Sequence, residues 1–261
     1  MRSLNIAATG MLAQQLNVEV ISNNIANMNT TGFKRQRAEF QDLLYQDERR
    51  VGSSSSDTGT IVPAGVQIGV GVKTAAVYRI TEQGNLISTD NTYDVAIQGK
   101  GFFKVTLPSG ETAYTRAGSF QLSPDGTIVT TDGYAVSPGL TIPANAINVT
   151  INPSGEVLAQ IQGTIAPQNV GQLTLSNFAN EAGMDPLGDN LLLETPASGA
   201  PVDGTPGSAG YGTLIQGFVE TSNVNVVQEI TNLITAQRAY EMNSRVIEAS
   251  DQMMQTLNQI R

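Results

Sequence analysis

Apolar residues recur every seven positions at both ends of the chain. Leu4, Met11, Val18 and Ile25 form one row, and Ala7, Gln14, Ile21 and Met28 follow each of them by three. Alternating steps of three and four predict an amphipathic helix from Leu4 to about Met28, a heptad-like seam with one polar break at Gln14. Thr30-Thr31-Gly32 predicts its stop, since glycine takes the left-handed conformation that closes a helix. A longer helix is predicted from about Asn223. Its main row is Val226, Leu233, Tyr240, Ile247 and Met254, and a neighbouring row is Ala239, Val246, Met253 and Ile260. Two adjacent rows make a face wider than a two-stranded seam needs. Either that face packs on the chain's own globular part, or it meets several helices at once.

Between the helices the period changes. Short β-prone runs such as "GTIVTT" and "EVLAQIQ" alternate with the turn signals "SPDG" (123–126), "TDGY" (131–134) and "NPSG" (152–155). Residues 52–60 ("GSSSSDTGT") and 194–212 read as loops rich in Ser, Gly and Pro. The expected fold class is therefore α+β: long amino- and carboxyl-terminal helices forming a coiled-coil-like helical domain, with an antiparallel β-rich domain inserted between them. The expected boundaries are 1–30 with 223–261 for the helical domain, 31–72 for a connecting segment and 73–222 for the β domain.

Charge divides the chain the same way. Residues 1–50 carry a net +1, residues 51–219 a net -8 and residues 220–261 a net -2. An acidic chain of net charge -9 is a poor partner for nucleic acid, whose binding rests on phosphate neutralisation. No apolar run reaches the roughly 18 residues needed to cross a bilayer, so no direct membrane insertion is expected. The amino terminus, "MRSLNIAATGMLAQQL", lacks the form of a cleavable secretory signal.

Candidate chemistry is sparse. The chain has no Cys and no His, which removes disulfides, thiolate sites and the commonest catalytic base. Asp90 with Asp94 and Asp185 with Asp189 are carboxylate pairs, but they stand beside Asn, Gly or Pro, where Asp shapes turns. "GKGFF" (99–103) lacks the spacing of a phosphate loop and reads as a bulge or close approach in a strand. No catalytic residue, cofactor site or metal site is expected.

Three longer stretches point elsewhere. "AATGMLAQQLNVEVISNNIANMNTTGFKR" resembles the amino-terminal signature of bacterial flagellar rod and hook proteins. "ETSNVNVVQEITNLITAQRAYEMNSRVIEASDQMMQ" is similar to their carboxyl-terminal signature. "DVAIQGKGFFKVTLPSGETAYTRAGSFQLSPDGTIVTTDGYAV" resembles their shared β domain. The overall length and residues 40–72 look most like the members that build the distal part of the rod, with a proximal member of similar size as the alternative.

The resemblance implies a structural subunit that stacks helically with its own copies into a hollow shaft. That shaft would cross the periplasm, turn inside the P and L rings and carry torque to the hook. The implied partners are further copies of the chain, proximal rod proteins, hook protein, the rings and the flagellar type III export apparatus. The implied location is the basal body, reached without a cleavable signal, and a chain without Cys suits passage into an oxidising compartment. An enzyme acting on the cell wall and a secreted β-rich binding module are the competing classes. The expected subunit-interface residues are Leu4, Met11, Val18, Ile25, Asn23, Asn24, Asn27, Val226, Leu233, Tyr240, Ile247 and Met254. Asn23, Asn24 and Asn27 share one helix face. Their amides, both donors and acceptors, either pair with identical groups on a neighbouring copy or cap the helix end. Residues 40–72 are expected to fill the gap between axially adjacent subunits and keep the rod straight. Both chain ends, about 1–30 and 223–261, are expected to be largely disordered in the monomer and to fold only on assembly, because isolated helices gain most of their stability from packing.

Overall fold

The computed structural model describes residues 2–49, 64–164 and 166–259. Much of the proposed straightening segment, residues 50–63, and Ile260 of the second helical row lie outside the described residues. Helices at both ends flank a β-rich middle, the α+β arrangement the periodicity predicts. The chain forms two compact units: residues 1–25, 36–78 and 225–261 make the first, and residues 26–35 with 79–224 the second.

The first unit carries α1 (Arg2–Ala26), β1 (Gln36–Asp42), β2 (Tyr45–Arg49), β3 (Val66–Gly69), β4 (Val72–Arg79) and α2 (Val226–Gln259). β1 pairs with β4, and β2 pairs antiparallel with β3, placing Tyr45 opposite Gly69 and Gln46 opposite Ile68. Where the two pairs meet, Leu43 N–H donates to the Gly71 carbonyl at 2.9 Å. The helix α2 starts at a cap that hydrophobic periodicity did not mark. Asn225 Oδ1 accepts from the Gln228 amide at 3.2 Å, and the Asn225 carbonyl takes the Glu229 amide at 3.0 Å. The first satisfies an amide that a helix start leaves without a partner, and the second is the first bond of the helix itself.

In the second unit, the chain leaving α1 turns sooner than the Thr30-Thr31-Gly32 signal indicates. Thr30 N–H donates to the Asn27 carbonyl at 3.2 Å, Phe33 N–H to the Thr30 carbonyl at 3.3 Å, and Gly32 takes φ +70°. The amides of Asn27–Thr30 thus belong to turns rather than to a last helical turn, and Thr30 Oγ1 bonds Asn27 Oδ1 at 3.1 Å.

The main sheet is built on the strand Phe102–Thr106. It pairs with Thr112–Thr115 on one side, and with Ala135–Val136 and Leu175–Asn177 along the other. Smaller antiparallel pairs join Val95–Gln98 to Thr213–Gln216 and Ala146–Ile151 to Glu156–Ile161. Gly126, Gly133 and Gly155 each donate to the carbonyl three residues earlier, so the turns at 123–126 and 152–155 close as read and the one read at 131–134 closes a residue earlier, at 130–133. Alternate inward positions, Phe103, Val105, Phe120, Ile128, Val149, Ile151, Val157 and Leu175 among them, form the core. Phe103 meets Phe120 edge to face, with ring centroids 5.0 Å apart.

The interior of this unit also holds an ion cluster of buried Lys34, Arg116 and Glu220. The Glu220 carboxylate takes Lys34 Nζ at 2.5 Å on one oxygen and Arg116 Nε at 2.6 Å on the other, and the Gly84 amide also donates to it. Arg116 spends its remaining donors on the carbonyls of Ile97, Gly99 and Gly101. "GKGFF" is therefore a close backbone approach around a buried guanidinium, with Gly99 at φ +114° and Gly101 at φ +130°.

Candidate assembly surface on the terminal helices

Heptad periodicity places α1 and α2 in the first unit, and the contacts between them run antiparallel. Ser250 Oγ donates to Ser3 Oγ at 3.3 Å near one end, and Asn24 Nδ2 donates to Glu229 Oε2 at 3.2 Å near the other. Between them, Gly10 faces Asn243 so closely that a Cβ at Gly10 would lie 2.8 Å from Asn243 Nδ2. A strand-side set of contacts holds the same helix α1. Arg2 pairs with Glu48 at 2.7 Å, Thr9 Oγ1 accepts the Val72 amide at 3.4 Å, and Asn24 grips Gln36.

Burial on α1 centres on Ala7, Ala13, Val20, Ile21 and Asn24. The predicted row Leu4, Met11, Val18 and Ile25 flanks that line and is half-buried. Asn23 is exposed, Asn27 is half-buried, and Asn24 is the buried member of the three. Its amide is engaged within the chain: Nδ2 donates to the Gln36 carbonyl at 2.8 Å, and Oδ1 accepts the Gln36 amide at 2.8 Å. A side-chain amide here does the work of a neighbouring strand.

On α2 the deepest residues are Glu229, Ala236 and Ser250, with Asn243 half-buried in the same seven-residue row. Val226, Leu233 and Ile247 of the predicted row are half-buried beside it, while Tyr240 and Met254 are exposed. Hydrophobic periodicity missed the inner row because its members are Glu, Ala, Asn and Ser. The available signal was the same spacing of small and polar residues on both helices.

Outside this row α2 also carries open apolar side chains. Val227 (76% exposed), Ile230, Ile234, Met242, Val246 and Met253 are all exposed, as are Ile6 and Leu12 on α1. Val227 and Ile234 lie two positions from Glu229 and Ala236, which at 3.6 residues per turn is about 160° around the helix. A helix with one face packed on its neighbour and several further apolar side chains in water is suited to a further partner.

Of the carboxylates considered for catalysis, Asp185 lies in a strand opposite Leu193, and the other three shape turns or chain bends. Asp94 accepts from Thr89 Oγ1 at 2.6 Å and Asn91 Nδ2 at 3.0 Å, and Asp90 and Asp189 adopt the left-handed conformation at φ +55° and +52°. Among the described residues, no group of His, Cys, Asp and Glu could hold a metal ion, and no helix is long and apolar enough to cross a membrane.

Comparison with known proteins matches three segments. Residues 4–34 match the flagella basal body rod protein family, residues 96–159 the flagellar hook protein FlgE/F/G D1 domain, and residues 215–260 the flagellar basal body rod FlgEFG protein C-terminal family. The chain is 62% identical over 261 residues to "Flagellar basal-body rod protein FlgG" of Caulobacter vibrioides, covering 100% of each. It is 46% identical to the protein of that name from Borreliella burgdorferi, covering 100% of this chain and 99% of the relative. For the Bacillus subtilis protein the identity is 39% over 98% of each chain. The chain belongs to the flagellar basal-body rod proteins, a family of structural proteins rather than enzymes.

Proposed function

We propose that this chain is the structural subunit of the flagellar distal rod. It assembles helically with its own copies into a hollow drive shaft that crosses the periplasm and transmits motor torque to the hook. The observation that carries this reading is the end-to-end similarity to FlgG proteins, 62% identity with full coverage of both chains. The exposed apolar side chains of α2 support it, because neighbouring copies in a helical polymer would cover them.

In this reading residues 1–30 and 223–261 form a coiled-coil-like polymerisation domain, 31–72 connect it to the rest, and 73–222 form the outer domain. Leu4, Met11, Val18, Ile25, Val226, Leu233, Tyr240, Ile247 and Met254 keep partial exposure that neighbouring copies cover, and Asn23 and Asn27 lie at the edge of the same contact. Asn24 serves the fold of each subunit. The segment around 40–72 spans axially adjacent subunits and keeps the rod straight. Proximal rod proteins and hook protein meet the two ends of the shaft, and the P and L rings surround it. Export proceeds through the flagellar type III apparatus without a cleavable signal.

Electron microscopy of the purified chain at high concentration tests this, together with its expression in a strain lacking its own distal rod subunit. Straight hollow filaments and restored rods are expected. A chain that stays monomeric at every concentration and restores no rod would refute it.

A further inference from the structure

Three contacts between α1 and α2 share one arithmetic. Ser3 meets Ser250, Gly10 meets Asn243 and Asn24 meets Glu229, so each advance of seven or fourteen along α1 is matched by an equal retreat along α2. The same step places Asn17 opposite the buried Ala236. The helices are thus joined by a ladder of small and polar rungs, one per heptad.

We propose that Asn24 and Glu229 are the register-setting pair of this ladder, and that they thereby determine which side chains of the helix pair face neighbouring copies. The proposal rests on the rod-subunit reading for its consequence, but not for its geometry. Apolar packing alone leaves the register poorly specified. Leu4, Met11, Val18 and Ile25 repeat with the same period as Val226, Leu233, Tyr240, Ile247 and Met254. A slide of one heptad, about 10 Å, brings equivalent apolar residues back into contact.

The polar rungs do not repeat in that way. Sliding one rung in one direction sets Asn24 against Ala236 and crowds Asn17 against Asn243. Sliding in the other sets Asn24 against Ser222, beyond the start of α2. The first slide sets Glu229, 4% exposed, against position 31, beyond the end of α1, so that it loses its amide; the second brings Asn17 to it in place of Asn24 but carries Asn24 past the start of α2, and in both Gly10 loses the side chain it makes room for. A buried carboxylate without its donor is strongly disfavoured, which is how a single buried polar pair selects one register among several of similar apolar content. Asn24 cannot follow the slide, because the Gln36 backbone holds both ends of its amide.

The absence of native cysteine makes the register directly readable by disulfide trapping. Ser3→Cys with Ser250→Cys reports the observed register. Ser3→Cys with Asn243→Cys and Asn17→Cys with Asn243→Cys report slides of one rung each way. In otherwise native chain, only the first pair should cross-link rapidly. Adding Glu229→Leu should raise the cross-link of Asn17→Cys with Asn243→Cys, which reports the slide that leaves Glu229 without an α1 amide, relative to the first by at least about tenfold, and Glu229→Gln, which keeps an acceptor, should return it towards the native ratio. Off-register trapping unchanged by Glu229→Leu would overturn the proposal. So would loss of cross-linking at all three pairs, which would make Glu229 a fastening without register choice. The ratio is measured on the monomer and again on filaments. Failure of the native chain to form filaments would count against the rod-subunit reading while leaving the monomer ratio to decide the register.

Discussion

Lys34 Nζ lies 2.5 Å from Glu220 Oε1, although 186 residues separate them in the chain. Burial alone would raise the Glu220 carboxyl, but the Arg116 charge and the Lys34 hydrogen bond overcome it and hold the group below the usual carboxylate range. Burial likewise holds the Lys34 ammonium below the usual lysine range, against the opposing pull of Glu220. A depressed carboxyl contributes stability above its unfolded pKa and loses it as pH falls through the folded value. The second unit should therefore weaken in acid, below the ordinary carboxylate range. Glu220→Gln leaves two cations without their anion and should cost about 3–5 kcal/mol in urea unfolding at neutral pH. It should also flatten the acid limb of the stability profile. An unchanged acid limb would remove Glu220 from its cause.

The open apolar side chains of α2 should matter to assembly and not to the monomer. Val227→Ser with Ile234→Ser changes exposed positions, so monomer stability should move by less than about 0.5 kcal/mol per site. Each such side chain, once fully covered, contributes roughly 1.5–3 kcal/mol. Sedimentation and electron microscopy should show filament formation lost or shifted to much higher concentration. Normal filaments from the double variant would place the subunit contact elsewhere.

Gly32 is held at φ +70°, and a Cβ there would sit 2.7 Å from the Ala117 backbone nitrogen. Its own amide donates to the Glu220 carbonyl at 2.8 Å. Gly32→Ala combines left-handed strain with a backbone clash and should cost about 2–4 kcal/mol. Chemical denaturation followed by tyrosine fluorescence reads it directly.

Asn225→Ala removes the side-chain acceptor for the Gln228 amide and should cost about 0.5–2 kcal/mol of helix-start stability. Hydrogen exchange should show the change at Gln228 and its neighbours, with the strand Phe102–Thr106 unaffected. The same experiment on dilute native chain tests whether the ends fold on assembly. Amides of α1 and α2 should exchange faster than those of the β core, and should slow in filaments. Equal protection of α2 and the core in a verified monomer would refute that coupling.

Local features were the legible ones. The turns read at 123–126, 131–134 and 152–155 are written in Asp, Pro, Ser and Gly, whose effects act within four residues, so sequence places two of them correctly and the middle one to within a residue. The helices were legible because their period is local too, although α1 ends at Ala26 rather than near Met28, where Asn27 and Thr30 draw the backbone into a turn. Of the seam residues on α1, Ala7 and Ile21 are buried and Leu4, Met11, Val18 and Ile25 half-buried, but the row of closest approach is another. Hydrophobicity marks Leu4 or Leu233, whereas the helices approach closest along Gly10, Asn24, Glu229 and Ser250, where small size and hydrogen bonding matter more than apolar area. The Lys34–Glu220–Arg116 cluster had no local signature at all. Its members meet only because the fold brings three distant segments together.

The rungs Asn24 and Glu229 are 205 residues apart. A chain emerging from a ribosome or a narrow conduit amino end first therefore carries α1 without its complementary row for most of the time it is being delivered. Chain length thus acts as a delay line: the helix pair closes only when nearly everything between its halves has already arrived.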